Sequence, residues 1–213
     1  MIVSFKGEYI FVAVPKTASQ SIRHHLKQHI NSRDWEQSVY SKPRFFPVKE
    51  LAQVGHGHLT LSQLQPYLLP NMWNKFFSFA FVRNPYDRFV SFCTFYREIN
   101  LSMASDPTGT MKSVIMNNAL RNHIFMLPQH HFLRNKNGEL AVSFIGKFEN
   151  LQEDYSHVCE KLNIPSTTLP VINQSGRQPV LKHFDTELVE MLESVYHQDF
   201  KTFNYSNCVP AAI

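Results

Sequence analysis

Two apolar segments, each followed at once by a polar turn and a helical pattern, constrain the fold of this chain most strongly. The first segment runs from Tyr9 to Val14 without helical spacing, as expected of a buried strand. Apolar residues then recur at every fourth position, at Ile22, Leu26 and Ile30. This spacing predicts a helix over about residues 18–31, so a strand leads directly into a helix.

The second segment, Phe76 to Val82, is aromatic and β-branched and predicts another strand. Asn84 is a favourable N-cap, and Pro85 suits the first position of a helix. Asp87 complements the positive end of the helix dipole. We therefore expect a second strand-to-helix junction, with its helix extending to about Asn100.

Further elements continue this alternation. Phe144 and Ile145 predict a third strand, and Asn150 with Glu153 predicts a capped helix that ends before Pro165. A final helix is predicted to begin near Asp185. The other expected elements are a small hairpin formed by residues 2–4 and 9–14, a flexible connection over residues 102–109 and a helix over residues 111–126.

Alternating strands and helices predict an α/β fold, with a central parallel sheet flanked by helices and ligands at the carboxyl ends of the strands. The chain has 213 residues, 43% of them hydrophobic, which is enough for one substantial core. We predict a single domain over residues 1–213, with residues 206–213 as a loose tail. The formal net charge of +4 favours anionic ligands.

Neither a membrane span nor a signal peptide is recognisable, so we expect a cytoplasmic protein without stable membrane insertion. Cys93, Cys159 and Cys208 are an odd number of cysteines without metal-like spacing, which indicates free, buried thiols. The spacing of the histidines matches no standard zinc signature, so no metal site is predicted.

The turn after the first strand has the composition of an anion-binding loop. Thr17 and Gln20 are spaced as a capping box, which predicts Thr17 as the N-cap of the helix. The groups then available to a phosphate or sulfate are the Lys16 ammonium, the backbone N–H groups of Ala18, Ser19 and Gln20, and the hydroxyls of Thr17, Ser19 and Ser21. The alternative is an ordinary capped helix beside a surface lysine.

A second candidate anion site follows the second strand. Arg83 stands where the strand ends, and Ser91 lies about two turns into the helix. A guanidinium fork and a hydroxyl in these places can converge on one anion. An Arg83 paired with Asp87, with Ser91 at a helix contact, is the alternative.

Together the two segments resemble the sulfotransferase family, in particular its carbohydrate branch, which includes heparan sulfate 2-O-sulfotransferase. The resemblance extends over nearly the whole chain. Beyond the loops at residues 15–21 and 83–91, it continues through residues 56–58, Pro128-Gln129, residues 144–151, residues 173–177 and residues 196–205.

The resemblance implies 3′-phosphoadenylyl sulfate (PAPS) as the sulfuryl donor. It places the 5′-phosphosulfate in the loop of residues 15–21, where Lys16 to Ser21 bind it. It places the 3′-phosphate on the segment of Arg83, Pro85, Arg88 and Ser91. Ser175 and Arg177 match a position where relatives close over the nucleotide.

A general base for the acceptor hydroxyl is expected within residues 55–60, since a histidine has an ordinary pKa near neutrality. The resemblance assigns catalytic roles to His56 and His58, and we place His58 first. Thr60 and Gln63 form another capping-box pattern, with Leu59 and Leu64 spaced as a hydrophobic staple, so a short helix is expected just after His58.

The function expected from these observations is transfer of a sulfuryl group from PAPS to a hydroxyl, with a carbohydrate as the leading acceptor class and no metal. The alternative is a non-catalytic module that binds nucleic acid or acidic polysaccharide. The aromatic residues follow core spacing rather than alternating with basic residues on one face, which counts against nucleic acid as a partner. The glycine-rich phosphate loop of nucleotide kinases is absent from the sequence.

Overall fold

After the second strand, helices separate each strand from the next, and runs of several short helices precede the fourth and the fifth strand. The computed structural model describes residues 1–37, 46–170 and 181–209. The strands are β1 (Ile2–Ser4), β2 (Tyr9–Val12), β3 (Trp35–Glu36), β4 (Phe77–Val82) and β5 (Phe144–Lys147). The helices are α1 (Ser19–Leu26), α2 (Lys49–Ala52), α3 (Leu61–Leu64), α4 (Pro70–Lys75), α5 (Pro85–Phe95), α6 (Arg97–Ser102), α7 (Pro107–Met116), α8 (Asn118–Arg121), α9 (Gln129–Leu133), α10 (Leu151–Leu162) and α11 (Thr186–Thr202).

The strands form one sheet in the order β3-β1-β2-β4-β5, flanked by helices. β2, β4 and β5 are parallel, whereas β1 pairs antiparallel with both β2 and β3. The predicted α/β class and hairpin are confirmed, although the sheet is mixed rather than wholly parallel. Val12 lies opposite Ala80, so β2 and β4 end near the same edge.

The two predicted junctions are present with shorter helices than expected. α1 ends at Leu26 rather than Asn31. α5 begins with Pro85, and the Asn84 side chain accepts a hydrogen bond from the Tyr86 N–H at 3.0 Å. The helix ends at Phe95 because Tyr96 adopts an extended conformation, after which α6 begins.

The helix predicted over residues 111–126 is wrong in its bounds. α7 begins earlier, at Pro107, because the Asp106 carboxylate accepts from the Gly109 N–H at 2.9 Å and caps the helix. It ends at Met116, where Asn117 adopts an extended conformation and caps α8 in turn. Part of the segment predicted as a flexible connection is therefore helical.

Contacts between residues group the chain into two compact units. One unit combines residues 1–82 with residues 129–172, and the other combines residues 83–128 with residues 173–213. The assignment of residues 1–213 to one domain stays a prediction. In the second unit the Tyr86 hydroxyl donates to the Asn207 carbonyl at 2.8 Å. Residues 210–213 of the expected tail lie outside the described residues.

The first unit has a core built on the sheet. Phe11 of β2 and Phe79 of β4 stack at 5.2 Å between ring centroids. From α10, Tyr155 and Val158 are fully buried in this core, and Leu151 and Leu162 pack against it. The cap predicted from Asn150 and Glu153 is wrong, because no side-chain hydrogen bond from Asn150 caps the helix. α10 ends with Asn163 in a left-handed conformation, just before Pro165.

The second unit has a helical core formed mainly by α5, α7 and α11. Asp185 caps α11 by accepting from the Leu188 N–H at 2.9 Å, which confirms the predicted start of this helix. Leu188, Leu192 and Tyr196 are buried in the core.

The three cysteines are free thiols, and their burial differs from one to the next. Cys93 and Cys159 are buried as expected, whereas Cys208 is exposed. Of the helices in the described ranges, none combines the length and the apolar composition needed to cross a membrane.

Replacing Gly146 with alanine is expected to destabilise the sheet. A Cβ at this position of β5 would overlap the ring of Phe81, which is 1% exposed and lies in the adjacent strand. Overpacking of this kind costs about 1 to 3 kcal/mol of unfolding free energy, measurable by chemical denaturation. Gly55→Ala is the matched control, because no atom beyond its chain neighbours lies within 4 Å of its Cβ position. Equal stability of the two variants would contradict this packing.

Candidate active site

The loop between β2 and α1 has an unusual backbone conformation. Lys16 and Ala18 both lie in the left-handed region, with φ angles of 66° and 62°. This region costs a non-glycine residue roughly 1 to 2 kcal/mol, and such residues concentrate at functional sites. The Thr17 hydroxyl donates to the Val14 carbonyl at 3.0 Å and holds the turn closed.

The predicted capping box at Thr17 and Gln20 is wrong. Ala18 is the N-cap of α1, and no side chain caps the helix. The left-handed Ala18 moves the start of the helix to Ser19, while the Thr17 hydroxyl is committed to the loop and Gln20 is exposed.

The start of α1 still presents donors. The Ile22 N–H bonds to the Ala18 carbonyl at 3.2 Å. The N–H groups of Ser19, Gln20 and Ser21 belong to the first turn, where a helix supplies no acceptor of its own. The side chains of Ser19 and Ser21 are buried here, and Lys16 is half-buried.

His58 is held against the end of β2. Its Nδ1 lies 2.7 Å from the Ala13 carbonyl, and its side chain is buried. A carbonyl only accepts, so Nδ1 carries the proton and Nε2 carries the lone pair of the neutral ring. Burial lowers the pKa of His58 to about 3, opposed by the hydrogen bond to Ala13 and assisted by the positive charge of Arg23.

His56 is half-buried and contacts His58. Its Nδ1 accepts from the His58 backbone N–H at 3.3 Å. Next in the chain, the capping box of Thr60 and Gln63 is confirmed, and it starts α3 at Leu61. Leu59 and Leu64, predicted as a staple, are both fully buried. The structure thus brings His56 and His58 together and ties His58 to the start of the loop that carries Lys16.

Arg23 is a site residue that sequence reasoning missed. It lies on α1, is only 3% exposed, and donates from Nη1 to the Gln37 carbonyl and from Nη2 to the Gly57 carbonyl at 3.1 Å. Burial lowers the pKa of Arg23, and the nearby Glu36 opposes this shift. A single arginine within a helix has no sequence pattern that reveals these partners.

The second anion segment belongs to the helical unit. Arg83 directly follows β4, and Ser91 lies on α5; both are buried. The resemblance includes Arg88 in this segment, but its guanidinium is committed elsewhere. Arg88 donates to the Phe125 carbonyl at 3.0 Å and to the Leu127 carbonyl at 2.8 Å, and it lies over the ring of Tyr196.

The remaining sequence-predicted residues, Ser175 and Arg177, lie outside the described residues. Within residues 1–37, 46–170 and 181–209, no three histidine, cysteine or carboxylate side chains form a group that could hold a metal ion.

Comparison with known proteins identifies the family. A model of the sulfotransferase family matches residues 1–206, nearly all of the 213 residues. The chain therefore belongs to the sulfotransferase family, and its activity is sulfuryl transfer. Comparisons with curated proteins and with solved structures return no match. The family predicted from the sequence is confirmed.

We expect His58 to remain neutral throughout the physiological pH range. Its pKa of about 3 lies below the ordinary value of 6.5, so the unfolded chain binds a proton at this position that the folded chain does not bind. The contribution of His58 to stability is then present above pH 6.5 and is lost as the pH falls toward 3. ¹⁵N NMR of the imidazoles, with His58→Gln to assign the signal, would show an Nδ1-protonated ring from pH 8 to pH 5. A midpoint near 6.5 for this signal would contradict the buried placement.

Proposed function

We propose that this chain transfers a sulfuryl group from PAPS to a hydroxyl of a carbohydrate. The observation that carries the proposal is the hydrogen bond between His58 and Ala13. It holds a neutral imidazole at the end of β2, where the loop with Lys16 and the first N–H groups of α1 begins.

The loop suits the phosphosulfate end of the donor. Charge gathers on the leaving phosphate oxygen in a loose transition state, by analogy with phosphoryl transfer. The Lys16 ammonium supplies the cation for this oxygen. Thr17 and Ala18 contribute through their backbone, since the Thr17 hydroxyl is committed to Val14. The remaining groups are the backbone N–H of Gln20 and the N–H and hydroxyl groups of Ser19 and Ser21.

We assign the 3′-phosphate of the donor to Arg83 and Ser91. The support is that Arg83 directly follows β4, the parallel neighbour of β2, and that ligands of such sheets bind at the carboxyl ends of the strands. Ser175 and Arg177 are assigned to closure over the nucleotide on the resemblance alone. In this scheme Lys16, Arg83 and backbone N–H groups neutralise the charge, and no metal ion is needed.

His58 is assigned as the general base, through Nε2, and His56 as its substitute or orienting neighbour. The acceptor oxygen bonds to sulfur as the bond between sulfur and the phosphate oxygen breaks. The hydroxyl proton moves to His58, and adenosine 3′,5′-bisphosphate leaves. A pKa of about 3 makes the free imidazole a weak base. The negative sulfuryl group beside it raises that pKa in the ternary complex.

Replacing Lys16 with alanine is expected to lower kcat at least about 100-fold, because one preorganised charge-stabilising donor is worth about 3 kcal/mol of barrier. His58→Gln is expected to cause a similar loss, the scale of a general base. Sulfate transfer from radiolabelled PAPS to a panel of glycans measures both changes.

The matched control for Lys16 is Lys6→Ala, which removes an exposed lysine from the turn between β1 and β2. The matched control for His58 is His56→Gln, for which a smaller loss is expected. Unchanged transfer by both Lys16→Ala and His58→Gln would reject the assigned chemistry. A larger loss of sulfate transfer with His56→Gln than with His58→Gln would make His56 the general base and His58 its neighbour.

Stoichiometric binding of adenosine 3′,5′-bisphosphate is expected by calorimetry, and Arg83→Ala should raise its Kd about 10- to 100-fold, since a hydrogen bond to a charged group is lost. Arg97→Ala, an exposed arginine on α6, is the control and should leave the Kd unchanged. Absence of binding by the unmodified protein would favour a non-catalytic module for anionic polymers.

A further inference from the structure

Both polar groups of the peptide unit between Gly57 and His58 form hydrogen bonds. Its carbonyl accepts from Arg23 Nη2 at 3.1 Å and from the Met1 nitrogen at 2.9 Å. Its N–H donates to His56 Nδ1 at 3.3 Å. These contacts fix the backbone at His58, and from that position the imidazole reaches the Ala13 carbonyl.

Arg23 contacts this peptide group from α1, the helix that follows the loop of residues 16–21. The same guanidinium also donates to the Gln37 carbonyl, and the Gln37 amide donates to the Leu51 carbonyl at 2.9 Å. The chain that leads to His58 is therefore attached to α1 at two places. The planar guanidinium donates to both carbonyls at once in a fixed geometry. A lysine ammonium, on its flexible side chain, would hold them less rigidly.

The charge of Arg23 is balanced inside the same unit. Glu36 is fully buried and lies 3.7 Å from Arg23 Nη1. Lys27, which directly follows α1, contacts the same carboxylate at 2.8 Å. The bonds to the Gln37 and Gly57 carbonyls described above come from the Arg23 guanidinium itself, so replacing Lys27 alters the ion pair and keeps these two donors in place.

We infer that Arg23 is a positioning residue for the transfer reaction: through the Gly57 carbonyl it fixes the His58 imidazole relative to the loop of residues 16–21. This role rests on the proposed function. Arg23 acts through the backbone carbonyl that it binds, not as a catalytic group. Loss of Arg23 frees the peptide group before His58 to move. The imidazole then leaves Ala13 and the reacting geometry is lost, whereas the loop that binds the donor is preserved.

The test compares Arg23→Lys and the double variant Arg23→Gln/Glu36→Gln, which avoids a buried unpaired carboxylate, with Lys27→Gln as the matched control. We expect both Arg23 variants to lower kcat about 10- to 100-fold, the scale of a displaced catalytic group, with the KM for PAPS within about twofold. Lys27→Gln should leave kcat within about twofold.

A second readout does not depend on turnover. The ¹⁵N spectrum of His58 should change from a single Nδ1-protonated tautomer to a mixture in the Arg23 variants, and should stay unchanged in Lys27→Gln. An unchanged kcat together with an unchanged His58 spectrum in a folded Arg23 variant would overturn the inference. Loss of the fold in both variants would also overturn it, in favour of a purely structural role.

The two proposals fail in different ways. An unmodified protein that transfers no sulfate on any glycan would refute the proposed function, and the His58 spectrum would still report whether Arg23 positions the ring. An active protein whose Arg23 variants keep both kcat and the His58 tautomer would refute the positioning role alone.

Discussion

The hydrogen bond of 2.7 Å between His58 and the Ala13 carbonyl is the contact on which the proposed chemistry depends. It fixes the tautomer of a buried imidazole, because a carbonyl accepts and never donates. It also joins two segments far apart in the chain, the end of β2 and the residues before α3. Together with the bond from Arg23 to the Gly57 carbonyl, this contact fixes His58 relative to the loop that carries Lys16.

The loop itself turns without glycine. Phosphate-binding loops commonly use glycine where the backbone is left-handed or must approach a ligand closely. Here Lys16 and Ala18 adopt the left-handed conformation, and the Thr17 hydroxyl bonds back to Val14. The surrounding contacts offset the strain of this conformation. As a result, a lysine rather than a glycine lies within the turn itself.

Local patterns predicted the fold well because they report local physics. Asn84 and Thr60 were predicted as caps, and each accepts the expected backbone hydrogen bond. Thr17 and Gln20 show the same spacing as Thr60 and Gln63 and form no box, since Ala18 turns left-handed before the helix starts. Arg23 escaped sequence reasoning because the carbonyls it contacts lie 14 and 34 residues away.

The most direct measurement is a crystal structure of the protein with adenosine 3′,5′-bisphosphate and a glycan hydroxyl acceptor. We predict that the 5′-phosphate lies within hydrogen-bonding distance of Lys16 Nζ and of the Ser19 and Gln20 N–H groups, and that the acceptor hydroxyl contacts His58 Nε2. A nucleotide bound away from the loop of residues 16–21, or an acceptor hydroxyl remote from His58, would contradict the account.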